Sequence, residues 1–144
     1  MDAPITVEPI TVEQINETVR EGYPGMRNRC IEIGDDYAIA AYDVDESDIR
    51  PGGFISGPSQ FMVADGALWF MAFVALGRIE PMALTSELSL RFLRPAQGER
   101  LICRAQLESV SRRSIVGTCH TWVDGAPDRV TSIAQGTYAV PLAR

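Results

Sequence analysis

A run of apolar side chains between Pro58 and Leu76 limits what this chain can fold into more than any other stretch of its sequence. Asp65 is the only ionisable residue in the run, and Gly66 follows it directly. As a helix rising about 1.5 Å per residue, the run would nearly span a bilayer core of roughly 30 Å. The internal carboxylate and the lack of a flanking basic cluster argue against a membrane span. We therefore predict a buried core helix, since a helix inside a protein can be apolar around its whole circumference.

The segments on either side of this run have the periodicities of one short helix and several strands. Thr11 and Gln14 have capping-box spacing, and Gly22 would end the amphipathic helix that they begin. Alternation of apolar and polar residues predicts strands before and after the apolar run. The strand-like segments are RCIEI, YAIAAYDV, SELSLRFL, RLICRAQLESV, SIVGTCHTWVD and RVTSIAQGTYAV. This order predicts an α+β fold in which an antiparallel sheet packs on the long helix.

The length of the chain and the absence of linkers predict one domain over residues 1–144, with residues 1–28 as an N-terminal helical extension. A net charge of −6 without a basic cluster predicts no nucleic-acid partner. The N-terminus has neither the basic start nor the apolar core of a signal peptide. We therefore predict a cytoplasmic protein with no membrane partner.

Metal and disulfide chemistry are not indicated either. The three cysteines, Cys30, Cys103 and Cys119, lie in predicted strands without CxxC pairing, so we expect small buried thiols. His120 is the only histidine, which excludes a site built from several histidines. The acidic segment DVDESD has carboxylates at alternate positions, like a calcium loop. It lacks the glycine and glutamate that such a loop needs, so we predict a solvated acidic loop without calcium.

Asp65 is the strongest candidate for a chemical role. A carboxylate among apolar side chains is costly unless it is used, and such a group is suited to act as a general base or nucleophile. Ser56-Gly57-Pro58 should form the entry to the same helix. The N–H groups of Gly57 and Ser59 would be free there, and together with the helix dipole they could hold a developing oxyanion. Plain helix capping by the same residues is the alternative.

Three motifs resemble one enzyme family: Gly53 to Pro58, then Ala64-Asp65, then Thr85 to Ala96. They are similar to the phenylacetic-acid-degradation type of hotdog-fold acyl-CoA thioesterases. The resemblance implies a hotdog fold, in which an antiparallel sheet wraps around one long central helix. It also implies a homodimer, or a dimer of dimers, with each active site between two subunits. The predicted reaction is hydrolysis of an acyl-CoA thioester to a free acid and CoA.

The resemblance further implies roles for individual residues. Asp65 would be the base or nucleophile, Thr85 would act beside it, and the Gly57 amide of the other subunit would hold the oxyanion. The chain departs from the family pattern at three positions: Arg50 replaces Asn, Ser56 replaces His, and Pro58 replaces the second Gly. Ser56 could donate a weaker hydrogen bond, and Arg50 could reach a carboxylate on the acyl group or a pyrophosphate.

Coenzyme A would be held as part of the substrate, and no metal or other cofactor is implied. The predicted substrate contacts are Arg50, Pro58, Gln60, Arg91, Arg94, Arg112 and Arg113. Two alternatives remain beside the hydrolase. The exchanged His and Asn positions are compatible with a non-hydrolytic acyl-CoA-binding module. A hotdog dehydratase would need a histidine, and only His120 is present.

Overall fold

The computed structural model describes residues 8–141, and it begins with the predicted short helix, α1, from Val12 to Gly22. Thr11 Oγ1 accepts a hydrogen bond of 3.1 Å from the Gln14 N–H, and Gln14 Oε1 accepts one of 3.0 Å from the Thr11 N–H. The predicted capping box is thus confirmed. Residues 1–7, on which the prediction of no signal peptide depends, lie outside the described residues.

Six strands form one antiparallel sheet in the order β1-β2-β6-β7-β8-β5, and β3 pairs with β4 as a separate two-stranded unit. The strands and the long helix are β1 Asn28–Ile33, β2 Tyr37–Asp43, β3 Ile49–Arg50, β4 Phe54–Ile55, α2 Gly57–Leu76, β5 Leu84–Phe92, β6 Arg100–Val110, β7 Ser114–Val123 and β8 Ser132–Ala139. The predicted fold class is confirmed, because an antiparallel sheet packs on one long helix.

The apolar run forms the core helix α2, which packs mainly on β2, β6 and β7. Its unbroken row of buried side chains runs from Gly66 to Phe73. Among the described residues, α2 is the one helix long and apolar enough to cross a membrane, with a mean hydropathy of 1.5, yet 67% of that window is buried inside the protein. Pro58 occupies the second helical position rather than the first, since the helix starts at Gly57.

Two glycines make room for α2 on the sheet. Gly117 of β7 and Gly136 of β8 are register partners. A Cβ atom at Gly117 would lie 2.8 Å from Leu68 Cδ2, and one at Gly136 would lie 2.6 Å from Leu68 Cδ1. The missing side chains therefore leave a hollow that the Leu68 side chain fills.

Strand β5 lies at one edge of the sheet, with β8 as its single neighbour there. The alternation in SELSLRFL predicts that Leu88, Leu90 and Phe92 share one face, and Leu88 and Leu90 do pack against the core. Phe92 lies on the same face, opposite Ser132, but it is 51% exposed, and Leu84 at the other end of the strand is 62% exposed. An edge strand with exposed apolar residues is a surface that another chain could cover.

The acidic loop differs from the prediction at one residue. Asp48 ends a short 3-10 helix and is buried, so the expectation of a wholly solvated loop is wrong there. Its carboxylate accepts hydrogen bonds from Arg27, Tyr42, Ser59 and the Asp45 N–H. Burial by itself would raise the pKa of Asp48, but these four donors outweigh burial and lower it to about 2.

The three cysteines are buried within the sheet, as predicted from their strand positions. Cys30 lies on β1, Cys103 on β6 and Cys119 on β7. Burial raises the pKa of the Cys30 thiol to about 12. A thiol that stays protonated and enclosed behaves as a small apolar side chain, so these residues contribute packing.

Candidate active site

Asp65 lies in the middle of α2, where the helix faces β5 and β8. Thr85 Oγ1 on β5 donates a hydrogen bond of 2.7 Å to Asp65 Oδ1. The Tyr138 hydroxyl on β8 donates to the same oxygen at 2.6 Å, and it also lies 3.0 Å from the Asp65 main-chain oxygen. The carboxylate is half-buried rather than enclosed among apolar side chains as the sequence suggested. Within residues 8–141, no group donates a hydrogen bond to Oδ2.

Tyr138 itself is buried, with 4% of its surface exposed. Burial, the nearby charge of Asp65 and the hydrogen bond to that carboxylate raise the pKa of Tyr138 far above its usual range. The hydroxyl therefore keeps its proton at any physiological pH. It is therefore available as a donor to the Asp65 carboxylate.

A cavity of about 160 Å³ opens beside the Asp65 carboxylate. Its wall combines the end of α1, one face of α2 and the start of β5. The lining residues are Tyr23, Met26, Met62, Asp65, Gly66, Trp69, Pro81, Ala83, Leu84, Thr85 and Tyr138. Apart from Asp65 and the two hydroxyls bonded to it, the wall is mainly apolar, so it suits a small apolar group attached to a reacting carbonyl.

The N-terminus of α2 is capped by Ser56. Ser56 Oγ accepts a hydrogen bond of 3.3 Å from the Ser59 N–H and lies 2.8 Å from Ser59 Oγ. The prediction of a free Ser59 N–H is therefore wrong, because the cap uses it. The Gly57 N–H donates to no group among residues 8–141. One backbone donor is thus left for a ligand at this end of the helix.

A second, open cavity of about 620 Å³ borders this N-terminus. It brings together four of the predicted site residues: Arg50, Gly57, Gln60 and Arg94. Thr131 Oγ1 donates a hydrogen bond of 3.0 Å to Gln60 Oε1, which fixes the buried amide. Arg50 and Arg94 are exposed, and among the described residues neither forms an ion pair. The cavity therefore combines cationic side chains with one free backbone donor.

The remaining predicted contacts lie elsewhere. Pro58 is exposed and lines neither cavity. Arg91 on β5 and His120 on β7 line a separate hollow on the sheet. Arg112 and Arg113 are exposed in the turn between β6 and β7. The structure does not bring these residues together with Asp65.

The two halves of the predicted site are separated within one chain. Asp65 follows Gly57 by eight residues on α2. A helix of that length rises about 12 Å, at about 1.5 Å per residue. A carbonyl group in contact with Asp65 therefore cannot reach the Gly57 N–H of the same chain.

Tyr138 is the residue of this site that the sequence reading missed. One signal for it exists in β8, where the residues that alternate toward the helix are Ser132, Ala134, Gly136 and Tyr138. A tyrosine on an otherwise small-residue buried face needs a partner for its hydroxyl. The sequence could not identify that partner, because Asp65 lies 73 residues away.

Comparison with known proteins is consistent with this architecture. The sequence model of the thioesterase superfamily matches residues 52–127, a range that includes Gly57, Asp65 and Thr85. Among curated protein sequences, none matches the chain. The chain belongs to the thioesterase superfamily.

Solved structures share the whole fold. A protein provisionally described as a thioesterase from a Silicibacter species is 27% identical, with a TM-score of 0.82 over 94% of this chain and 95% of that one. A thioesterase family protein from Silicibacter pomeroyi is 22% identical, with a TM-score of 0.77 over 92% of this chain and 100% of the other. A mutant of the phenylacetic acid degradation protein PaaI from Thermus thermophilus is 17% identical, with a TM-score of 0.68 over 85% of this chain and 97% of that one. The predicted hotdog fold and the predicted thioesterase superfamily are confirmed.

Proposed function

We propose that this protein is an acyl-CoA thioesterase of the phenylacetic-acid-degradation type, in which Asp65 is the catalytic base or nucleophile. The observation that carries the proposal is the asymmetric environment of that carboxylate. Two hydroxyls hold Oδ1, while Oδ2 has no donor among the described residues and the side chain borders a mainly apolar cavity. A carboxylate that is oriented on one oxygen and free on the other is suited to attack or to take a proton.

The reaction would proceed at the thioester carbonyl carbon. As a general base, Asp65 Oδ2 would remove a proton from a water molecule while the water oxygen bonds to that carbon. As a nucleophile, Oδ2 would itself bond to the carbon, and water would later hydrolyse the acyl-enzyme bond. The carbonyl oxygen becomes an oxyanion that the Gly57 N–H and the helix dipole stabilise. The carbon–sulfur bond then breaks, the CoA thiolate takes up a proton, and the acyl group leaves as the free acid.

A second copy of the chain would supply the Gly57 N–H. The rise of about 12 Å between Gly57 and Asp65 along α2 supports this, since one chain cannot offer both groups to one carbonyl. The edge strand β5 carries Thr85 and the exposed side chains of Leu84 and Phe92. Pairing of two copies along this edge would cover those side chains. It would also bring Asp65 of one copy close to the Gly57 N–H of the other. A homodimer, or a dimer of dimers, is the assembly that follows.

The CoA portion of the substrate would bind in the second cavity, at the N-terminus of α2. Arg50 and Arg94 line it, and their guanidinium groups are suited to hold the phosphates of CoA. Several other expectations stay predictions from the sequence. They are substrate contacts from Gln60, Arg91, Arg112, Arg113 and Pro58, the absence of a metal or further cofactor, and a cytoplasmic location.

The acyl group would be small. The cavity beside Asp65 has a volume of about 160 Å³. A cavity of roughly 150 Å³ in another protein holds one benzene molecule. An acyl group with one aromatic ring, or about six aliphatic carbons, therefore fills it.

One observation favours the non-hydrolytic acyl-CoA-binding module as a second candidate. The Ser59 hydroxyl donates its proton to Asp48, so Ser56 must be the donor in the contact between the two serine hydroxyls. Ser56 is thereby committed to capping the helix and would have to break that bond to reach the thioester. A site with fewer oxyanion donors could bind without hydrolysing. No observation favours the dehydratase, because His120 is exposed on β7 and lines a different hollow from Asp65.

A panel of acyl-CoA substrates separates these functions. Release of free CoA is followed with a thiol reagent for wild-type protein, the Asp65→Asn variant and the Asp35→Asn variant, in which an exposed turn carboxylate is changed. A thioesterase releases CoA with the wild-type protein and the Asp35→Asn variant, and Asp65→Asn loses this activity. Acyl-CoA binding by calorimetry without any CoA release would instead establish the binding module.

A further inference from the structure

We propose that Tyr138 is a positioning residue for Asp65: together with Thr85 it holds Oδ1, so that Oδ2 is the oxygen that reacts. This inference rests on the proposed hydrolysis. It adds a residue from β8 to the site and assigns separate tasks to the two oxygens of one carboxylate.

The two donors approach the same atom from adjacent strands. Thr85 and Tyr138 are register partners across β5 and β8. Thr85 Oγ1 lies 2.7 Å from Oδ1, and the Tyr138 hydroxyl lies 2.6 Å from it. The register of β5 shifts between Thr85 and Glu87, so Ser86 is an extra residue next to Thr85. Such bulges re-aim neighbouring side chains, and here the bulge adjoins the residue that contacts Asp65.

The Tyr138 hydroxyl also restrains the helix. Its single proton goes mainly to Oδ1 at 2.6 Å, while the main-chain oxygen of Asp65 at 3.0 Å takes the weaker branch of a three-centre bond. The ring is buried, so this donor has little freedom to turn away. Tyr138 therefore fixes both the backbone and the side chain of Asp65 relative to the sheet.

Two hydroxyl donors on one carboxylate oxygen make its lone pairs less available than those of the other. Oδ2, without a donor among the described residues, keeps its lone pairs for water or the thioester carbon. Positioning of a reacting atom matters because a misplacement of about 1 Å can cost about 100-fold in rate. Loss of the Tyr138 hydroxyl should therefore reduce turnover without reducing substrate binding.

The test is the Tyr138→Phe variant, which removes the hydroxyl and keeps the ring. We expect kcat to fall by roughly 10- to 100-fold while KM for the best acyl-CoA changes by less than about twofold. Tyr37→Phe is the matched control, because its hydroxyl also donates to a carboxylate, Glu32, at 2.6 Å, but at the exposed β1–β2 hairpin. That control should keep wild-type kcat.

Asp65→Asn is measured in the same assay, so that failure of the inference about Tyr138 can be distinguished from failure of the proposed function. If Asp65→Asn is inactive and Tyr138→Phe keeps wild-type kcat with a lower melting temperature, Tyr138 is only structural and this inference is overturned while the function stands. If the wild type releases no CoA, or Asp65→Asn is fully active, the proposed function fails and this inference fails with it.

A second variant covers the case in which Tyr138→Phe does not fold. Site-specific 3-fluorotyrosine at position 138 keeps the ring and the hydroxyl but makes the hydroxyl a stronger donor. A positioning role predicts a change in kcat of a few-fold, on the order of that expected for altering one hydrogen bond to a charged group. An unchanged kcat in this folded protein would overturn the inference.

Discussion

Ser59 on the first turn of α2 donates a hydrogen bond of 2.6 Å to Oδ1 of Asp48. The main chain of Asp48 makes a second link, because its carbonyl oxygen accepts a hydrogen bond of 2.7 Å from the Ser56 N–H. Tyr42, Arg27 and the Asp45 N–H also donate to the same carboxylate. The acidic loop therefore anchors the helix end at which Gly57 presents its N–H.

Replacement of Asp48 should destabilise the protein strongly. In Asp48→Asn the amide can accept fewer of these hydrogen bonds, and Arg27 loses its buried partner. We expect the free energy of unfolding to fall by roughly 2–4 kcal/mol, measured by urea denaturation at pH 7. Asp124→Asn, at an exposed carboxylate with one long contact to Arg100, should change it by less than about 0.5 kcal/mol.

The contribution of Asp48 should also depend on pH in one direction. Its pKa in the folded protein is about 2, against 3.8 for the free carboxyl group. Stabilisation by a carboxylate with a lowered pKa is present above pH 4 and disappears as the pH falls toward 2. The difference in unfolding free energy between wild type and Asp48→Asn should therefore shrink between about pH 4 and pH 2. A difference that stays constant over this range would contradict the ionised state of the buried group.

Asp65→Asn should separate stability from activity. The amide oxygen can still accept from Thr85 and Tyr138, so the free energy of unfolding should change by less than about 1 kcal/mol. The amide can neither attack a carbonyl carbon nor take a proton, so kcat should fall by about 10²–10⁴-fold. Thermal unfolding and acyl-CoA turnover on the same preparations measure both. A large loss of stability would instead mark Asp65 as a structural partner of the two hydroxyls.

A site shared between two copies should show complementation. Gly57→Pro removes the N–H that would hold the oxyanion, whereas Gly57→Ala keeps it. Both variants place a Cβ atom about 3.0 Å from Phe92 Cζ, so Gly57→Ala controls for that contact. Mixing unfolded Gly57→Pro and Asp65→Asn chains and refolding them should restore roughly one quarter of wild-type activity, because half of randomly paired dimers carry one intact site. No recovery, with mixed dimers present, would place each site within one chain.

Tyr23 should control the size of the acyl group. It is 56% exposed at the outer wall of the cavity beside Asp65, and its ring contacts Trp69 edge-on with centroids 5.7 Å apart. Tyr23→Ala removes that wall, so kcat/KM should rise for acyl chains longer than about six carbons and fall for shorter ones. Competition between short and long acyl-CoA substrates measures the shift. An unchanged preference would mean that the acyl group lies elsewhere.

The fold could be predicted from local periodicity, because each element has its own pattern. The capping box at Thr11 and the apolar run ending at Leu76 mark two helices without any knowledge of their neighbours. The exposure of Phe92 could not be predicted in this way, since alternation along β5 does not say where the core ends. At an edge strand the same alternation continues past the last residue that the helix covers.

The site was predictable only in part, for a reason of distance along the chain. Asp65 could be predicted as a functional residue because it is the one ionisable side chain in an apolar run. Its pairing with Thr85 followed from the family resemblance. One donor to Asp48 is local, the Asp45 N–H three positions earlier, but the three side-chain donors come from residues 6, 11 and 21 positions away, which no local pattern indicates. Contacts of this kind depend on the register of strands and helices, which the sequence does not state.

The hollow formed by Gly117 and Gly136 determines how α2 is rotated about its own axis. Each step along a helix turns the side chain by about 100°, so only one rotation places Leu68 over the two glycines. Leu68 follows Asp65 by three residues, and Gly136 precedes Tyr138 by two on the same face of β8. Seating Leu68 therefore brings the carboxylate to the tyrosine hydroxyl. The direction of the Asp65 side chain therefore depends on two sheet residues that it does not contact, Gly117 and Gly136, because neither has a Cβ atom.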